Sequence, residues 1–164
     1  MKQILFPLYS QYQLPVIRLI KNNLLVLLDT GAYFPVWSGS EKSLMSILDA
    51  KPTDIVVPLS GFSETVMCRV YEIDFVFGEL IYPHMPIAVN PKMKSVYHMI
   101  ISATMLEGLK YEVDTVRHTL DITVPDNESI VRNLKILSSD GELHIFVNVT
   151  PFHDENKTHG ELLY

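Results

Sequence analysis

A chain of 164 residues, 48% of them hydrophobic, can fill one core and is too short for two domains of ordinary size, so one domain over residues 1–164 is expected. Its formal net charge of −6, with no basic cluster, excludes a phosphate-contact surface as the main role, so no nucleic-acid partner is expected. A lone cysteine, Cys68, excludes an internal disulfide framework and fits a reducing compartment, which makes a cytoplasmic address the expectation.

The opening KQILFPLYSQYQLP is broken by Pro7, Gln11, Gln13 and Pro15 before any sustained apolar run develops, so no secretory leader is read there. The apolar stretch from Val16 to Leu28 is interrupted by Arg18, Lys21, Asn22 and Asn23 and predicts no membrane span. Without a secretory route, the Asn-x-Ser/Thr triplets at Asn127, Asn148 and Asn156 are chance matches. VIRLI (16–20) and LLVLL (24–28) flank Lys21-Asn22-Asn23, and asparagine tolerates the left-handed conformations of tight turns, so a β-hairpin is predicted. Its second strand is apolar on both faces, as a central strand would be. After Pro35-Val36-Trp37, a capping box of Ser38 and Glu41 with Leu44, Ile47 and Leu48 at helical spacing predicts a short helix at about 40–49.

Strand-like segments then dominate: DIVVPLS (54–60), TVMCRVYEIDFVF (65–77), LIYPHMPIAV (80–89), HMIISA (98–103), KYEVD (110–114), TLDITV (119–124), NLKIL (133–137) and ELHIFVNV (142–149). Gly61 and Gly78-Glu79 mark reversals, and Ser138-Ser139-Asp140-Gly141 reads as a hairpin loop. The polar stretch from His153 to Gly160 reads as a flexible tail. Many short strands with one or two short helices predict an all-β barrel or sandwich-like fold.

The most informative residues are LLVLLDTGA (24–32), where an acid follows five apolar residues and precedes Thr-Gly. Burial penalises a charged carboxylate, so Asp29 needs hydrogen-bonding neighbours or a second carboxyl that shares its proton. Thr30 offers a hydroxyl to lock the turn, and Gly31 lets the backbone approach the carboxyl. The bland alternative is a strand-ending turn, since Asp, Thr and Gly all favour turns.

Asp29-Thr30-Gly31-Ala32 after an apolar strand resembles the active-site loop of the retropepsin-like aspartic proteases. The resemblance covers roughly residues 14–124. LPVIRLIKNNLLVLLDTGA is similar to the opening hairpin and catalytic loop. PLSGFSETVMCRVYEIDF is similar to the flap, the hairpin that covers the substrate, with its tip near Gly61-Phe62-Ser63. HMIISATML resembles the later element that reads in the family as two apolar residues and a glycine before a short helix. Ser102 stands where that glycine is expected, and the flap carries one glycine where relatives often have several.

The resemblance implies a retropepsin-like β-barrel and a peptide substrate cleaved by water held between two aspartates, one protonated and one acting as base. No cofactor or metal is implied. With one Asp-Thr-Gly per chain, the second carboxyl must be Asp29 of a partner, so a homodimer is required. By analogy Asp29, Thr30 and Gly31 form the catalytic loop, Thr30 pairs across the two-fold axis, and Ala32, Gly61 and Phe62 contact substrate. Ala32 cannot donate a hydrogen bond to the carboxylate as a serine could, which predicts an activity maximum above about pH 3. The strands at residues 130–150 lie beyond a minimal member and are expected to extend the sheet or the dimer contact. Ser102 and the glycine-poor flap support an alternative: a dimeric peptide-binding module on the same fold, with little or no catalysis. A third reading is a protein that uses the fold only to dimerise.

Other residues have plainer readings. Trp37 is expected in the core rather than in a substrate pocket. Cys68 could be a nucleophile if paired with His84 or His98, but a buried strand cysteine is the expectation. His153 and His159 with Asp154 and Glu155 match no standard metal spacing, so no metal is expected.

Overall fold

The computed structural model describes residues 1–60, 64–139 and 142–148. In chain order the elements are β1 (Lys2–Pro7), β2 (Val16–Leu19), β3 (Leu24–Asp29), β4 (Val36–Ser38), α1 (Glu41–Leu48), β5 (Lys51–Ser60), β6 (Thr65–Phe77) and β7 (Leu80–Asn90). Then come β8 (Met99–Ser102), a 3₁₀ turn (Ala103–Leu106), β9 (Lys110–Asp114), β10 (Thr119–Val124), β11 (Asn133–Ser139) and β12 (Glu142–Asn148). The all-β expectation holds. The strands form a seven-stranded sheet in the order β2-β3-β8-β4-β7-β6-β5, a three-stranded sheet β1-β10-β9 and the β11-β12 hairpin. No helix among the described residues is long and apolar enough to cross a membrane.

The hairpin of β2 and β3 closes as the asparagines suggest. Asn23 adopts φ 53°, and its Oδ1 accepts a hydrogen bond from Arg18 Nε at 2.6 Å. On its other side β3 pairs in parallel with β8, in a register that sets Asp29 opposite Ser102. Leu24, Val26, Leu27 and Leu28 are buried, as continuous apolarity requires of an inner strand.

Three features differ from expectation. Residues 2–7 form a strand: Ile4 and Phe6 are buried while Gln3 and Leu5 are exposed, the period of two that antiparallel pairing with β10 produces. Val36–Ser38 also forms a strand, with β7 parallel on one side and β8 antiparallel on the other. The helix cap is consequently Ser40, not Ser38. Ser40 Oγ accepts from Ser43 N at 3.1 Å, whereas Ser38 lies in β4 and donates its hydroxyl to the Met93 carbonyl at 3.1 Å. Glu41 does not close a capping box with Ser38; its carboxylate accepts from the Tyr71 hydroxyl at 2.5 Å. Of the three apolar helix residues only Leu44 is fully buried.

The main core cluster runs from Ile4 and Phe6 through Val26, Leu28, Trp37, Ile87 and Ile101 to Leu134. A smaller cluster of Phe34, Val57, Cys68, Val70 and Ala88 lies under the β5-β6 hairpin. Gly78 makes the turn between β6 and β7 at φ +65°, where a Cβ would come within 2.6 Å of Phe6 Cζ. That ring stacks on Phe77 at 4.3 Å between centroids and has little room to retreat. Gly78→Ala is expected to cost about 2–4 kcal/mol, from the positive φ and the overpacked ring together, measured by urea unfolding.

Candidate active site

Asp29 is the last residue of β3, half-buried where the strand gives way to a turn. The turn is closed around it by backbone groups. Gly31 N–H donates to Asp29 Oδ1 at 3.0 Å, and Ala32 N–H donates to the Asp29 carbonyl at 3.0 Å. A Cβ on residue 31 would lie 3.3 Å from the same Oδ1, so glycine there lets the amide reach the carboxylate without pushing it aside. Thr30 is exposed, and its hydroxyl makes no hydrogen bond among the described residues; it does not lock the turn within the chain.

The far side of the loop is held by the element after β8. Ala103 N–H donates to the Ala32 carbonyl at 3.2 Å, and Thr104 Oγ1 donates to the Tyr33 carbonyl at 3.3 Å. Ser102 is fully buried, with its Oγ 2.6 Å from Thr104 Oγ1. Since Thr104 directs its proton to Tyr33, Ser102 donates to Thr104. A serine in place of the expected glycine is thus accommodated with its hydroxyl satisfied.

Asp29, Gly31, Ala32 and Tyr33 form one wall of a cleft of about 530 Å³. Across it stand Leu59 and Ser60 of β5 with Glu64 and Val66 from the other arm of that hairpin. Asn90, Lys92 and Met93 also line it, and Lys92 Nζ lies 3.8 Å from Glu64 Oε1, linking the segment after β7 to the hairpin. Gly61 and Phe62, expected at the tip, lie outside the described residues. A half-buried carboxylate lining a cleft of mixed apolar and polar residues can hold water against an extended peptide. Glu64 is the only other carboxylate among the described lining residues, and its partner is Lys92.

The remaining candidates take structural places. Trp37 is buried, donating its indole N–H to Ser43 Oγ at 3.0 Å, and belongs to the main core. Cys68 is buried with Sγ 3.5 Å from the Val66 carbonyl, and burial raises its thiol above the ordinary range. His84 lies exposed beside Asp74, His98 accepts from Leu25 N–H at 3.0 Å through Nδ1, and among the described residues neither is hydrogen-bonded to Cys68, whose sulfur faces the Val66 carbonyl. Native Cys68 is therefore expected to react with a thiol reagent only after denaturation, and Cys68→Ala to leave any activity within about twofold of wild type, as for an inert buried thiol. Fast labelling of the native thiol would contradict this. His153, Asp154, Glu155, His159, Asp140 and Gly141 lie outside the described residues.

Two contributions escaped the sequence reading. Tyr33, from the turn after β3, and Asn90, Lys92 and Met93, from the end of β7 and the turn after it, line the cleft, and no local pattern links the two segments. Arg132, fully buried, had only a faint signal: one cation following Ile130 and Val131.

No protein-family model matches the chain, and no curated protein does. Among solved structures, the crystal structure of a retropepsin-like aspartic protease from Rickettsia conorii is similar, with a TM-score of 0.48 and 12% identity, covering 75% of this chain and 91% of that one.

Proposed function

We propose that this chain is a retropepsin-like aspartic endopeptidase, acting as a cytoplasmic homodimer whose two Asp29 carboxyls activate one water to attack a peptide carbonyl. The observation that carries the reading is the Asp29 carboxylate itself, delivered by an inner strand, oriented by the Gly31 amide at 3.0 Å and set in the wall of a cleft that the β5-β6 hairpin faces. Two carboxyls a few Å apart cannot both ionise, so one holds a proton for the substrate carbonyl oxygen while the other takes a proton from water. Gly31 holds the base in place. The exposed Thr30 hydroxyl is free to bond the partner's loop. Ala32 and the apolar residues Phe34, Leu59 and Val66 favour apolar substrate side chains, and Gly61-Phe62 would close over the peptide as the tip of a flap. Residues 1–164 act as one domain in this reading; the β11-β12 hairpin forms a two-stranded sheet of its own rather than extending another sheet, which leaves the dimer contact as its proposed use. Support for that unity comes from the core cluster, which joins Ile4 and Phe6 to Leu134.

Incubating a proteome-derived peptide library with wild type and with Asp29→Asn, over about pH 2 to 8, tests the reading. Cleavages made only by wild type, with a maximum above about pH 3, are expected. No difference in a sample shown by sedimentation to be dimeric would move the assignment to a peptide-binding module.

A further inference from the structure

Arg132 lies in the segment just before β11, far from Asp29 in sequence, yet its guanidinium is fully buried. A buried cation is tolerated only with close partners, and its hydrogen-bond acceptors lie together at the end of one short element. Nε donates to the Met105 carbonyl at 3.2 Å and Nη2 donates to the Glu107 carbonyl. These carbonyls end the 3₁₀ turn, where no intrahelical donor remains for them. Tyr82 sends its hydroxyl to the same Met105 carbonyl at 2.7 Å. Glu128 adds its carboxylate 3.8 Å from Nη1 and packs against Gly108, where a Cβ would lie 2.5 Å from Glu128 Oε1. The planar fork of an arginine suits two carbonyls at once; a lysine ammonium does not.

The element held this way is the one that supports the catalytic loop. Its first residue, Ala103, donates to the Ala32 carbonyl, Thr104 donates to the Tyr33 carbonyl, and Ser102 immediately before it is the register partner of Asp29. We infer that Arg132 is a positioning residue for Asp29: by fixing the carbonyls of Met105 and Glu107 it fixes the 3₁₀ turn that carries the backbone donors to residues 32 and 33. The role in catalysis rests on the protease reading; the mechanical coupling does not.

The test uses full-length Arg132→Lys, with Arg132→Met as a second variant and Phe6→Leu as a remote core control. Amide hydrogen exchange is measured first. Gly31 and Ala103 amides are expected to exchange at least about tenfold faster in Arg132→Lys and faster still in Arg132→Met, while the β1-β10 amides keep wild-type protection; Phe6→Leu should do the reverse. Peptide cleavage by the folded variants should then show kcat reduced at least about tenfold in the order wild type, Lys, Met, with KM changed less than about threefold. Unchanged protection of Gly31 and Ala103 overturns the inference whether or not the protein cleaves peptides. So does loss of protection spread evenly over the chain. Selective loss of protection in a protein with no peptidase activity would keep the coupling and remove the protease reading instead.

Discussion

Asp29→Asn is expected to lower the turnover of a peptide substrate by at least about a thousandfold while leaving the thermal midpoint within about 3 °C of wild type. An amide cannot take a proton from water, and it cannot hold the proton that a neighbouring carboxyl would share. Its oxygen can still accept the Gly31 N–H, so the turn that now holds Asp29 Oδ1 at 3.0 Å has no reason to open. The site is half-buried, so exchanging the carboxyl for an amide of the same shape leaves no uncompensated charge inside. Steady-state cleavage of a fluorogenic peptide together with a circular-dichroism melt checks both halves. A variant that keeps a tenth or more of the rate would contradict the assignment of Asp29 as base.

The largest stability effect is expected at Arg132. Arg132→Ala removes the cation, leaves the Glu128 carboxylate mostly buried without its partner, strips two donors from the carbonyls of Met105 and Glu107, and opens a cavity. Breaking a buried ion pair from one side costs about 3–5 kcal/mol. Arg132→Lys should cost less, about 1–2 kcal/mol, since the charge and one hydrogen bond survive. The Tyr82 hydroxyl is pushed upward by burial, with Arg132 opposing that rise, so Tyr82 remains a neutral donor to Met105 in either variant at neutral pH. Guanidinium unfolding of the three proteins measures the differences. A loss below about 1 kcal/mol for Arg132→Ala would show that the buried fork is dispensable.

The parts legible in the sequence were those set by local chemistry. Asn23 at positive φ, the β6-β7 reversal at Gly78 and the unbroken apolar run before Asp29 each depend on a few adjacent residues, and each is found where expected. What escaped depends on partners distant in sequence. Residues 2–7 show no alternation of their own, since Leu5 is as apolar as Ile4 and Phe6; pairing with β10 makes the strand and turns Leu5 outward. Three residues, Val36–Ser38, are too few to show a period; β7 and β8 impose the extended form on them and so move the helix cap from Ser38 to Ser40. Ser102 read as a departure from a glycine position, because the sequence does not reveal that Thr104 takes its hydroxyl. Nothing local singles out Arg132 in the sequence, because its carbonyl acceptors are supplied by a turn some 25 residues earlier.

That one site is built from two chains is tested most directly by mixing. Wild type and Asp29→Asn are combined at fixed total concentration, dissociated and reassembled, and assayed against the same peptide across the full range of ratios. If every site needs an Asp29 carboxyl from each protomer, activity follows the square of the wild-type fraction, falling to about a quarter at an equal mixture. Activity in simple proportion to the wild-type fraction, about half at an equal mixture, would mean that one chain suffices and would contradict the shared-proton mechanism.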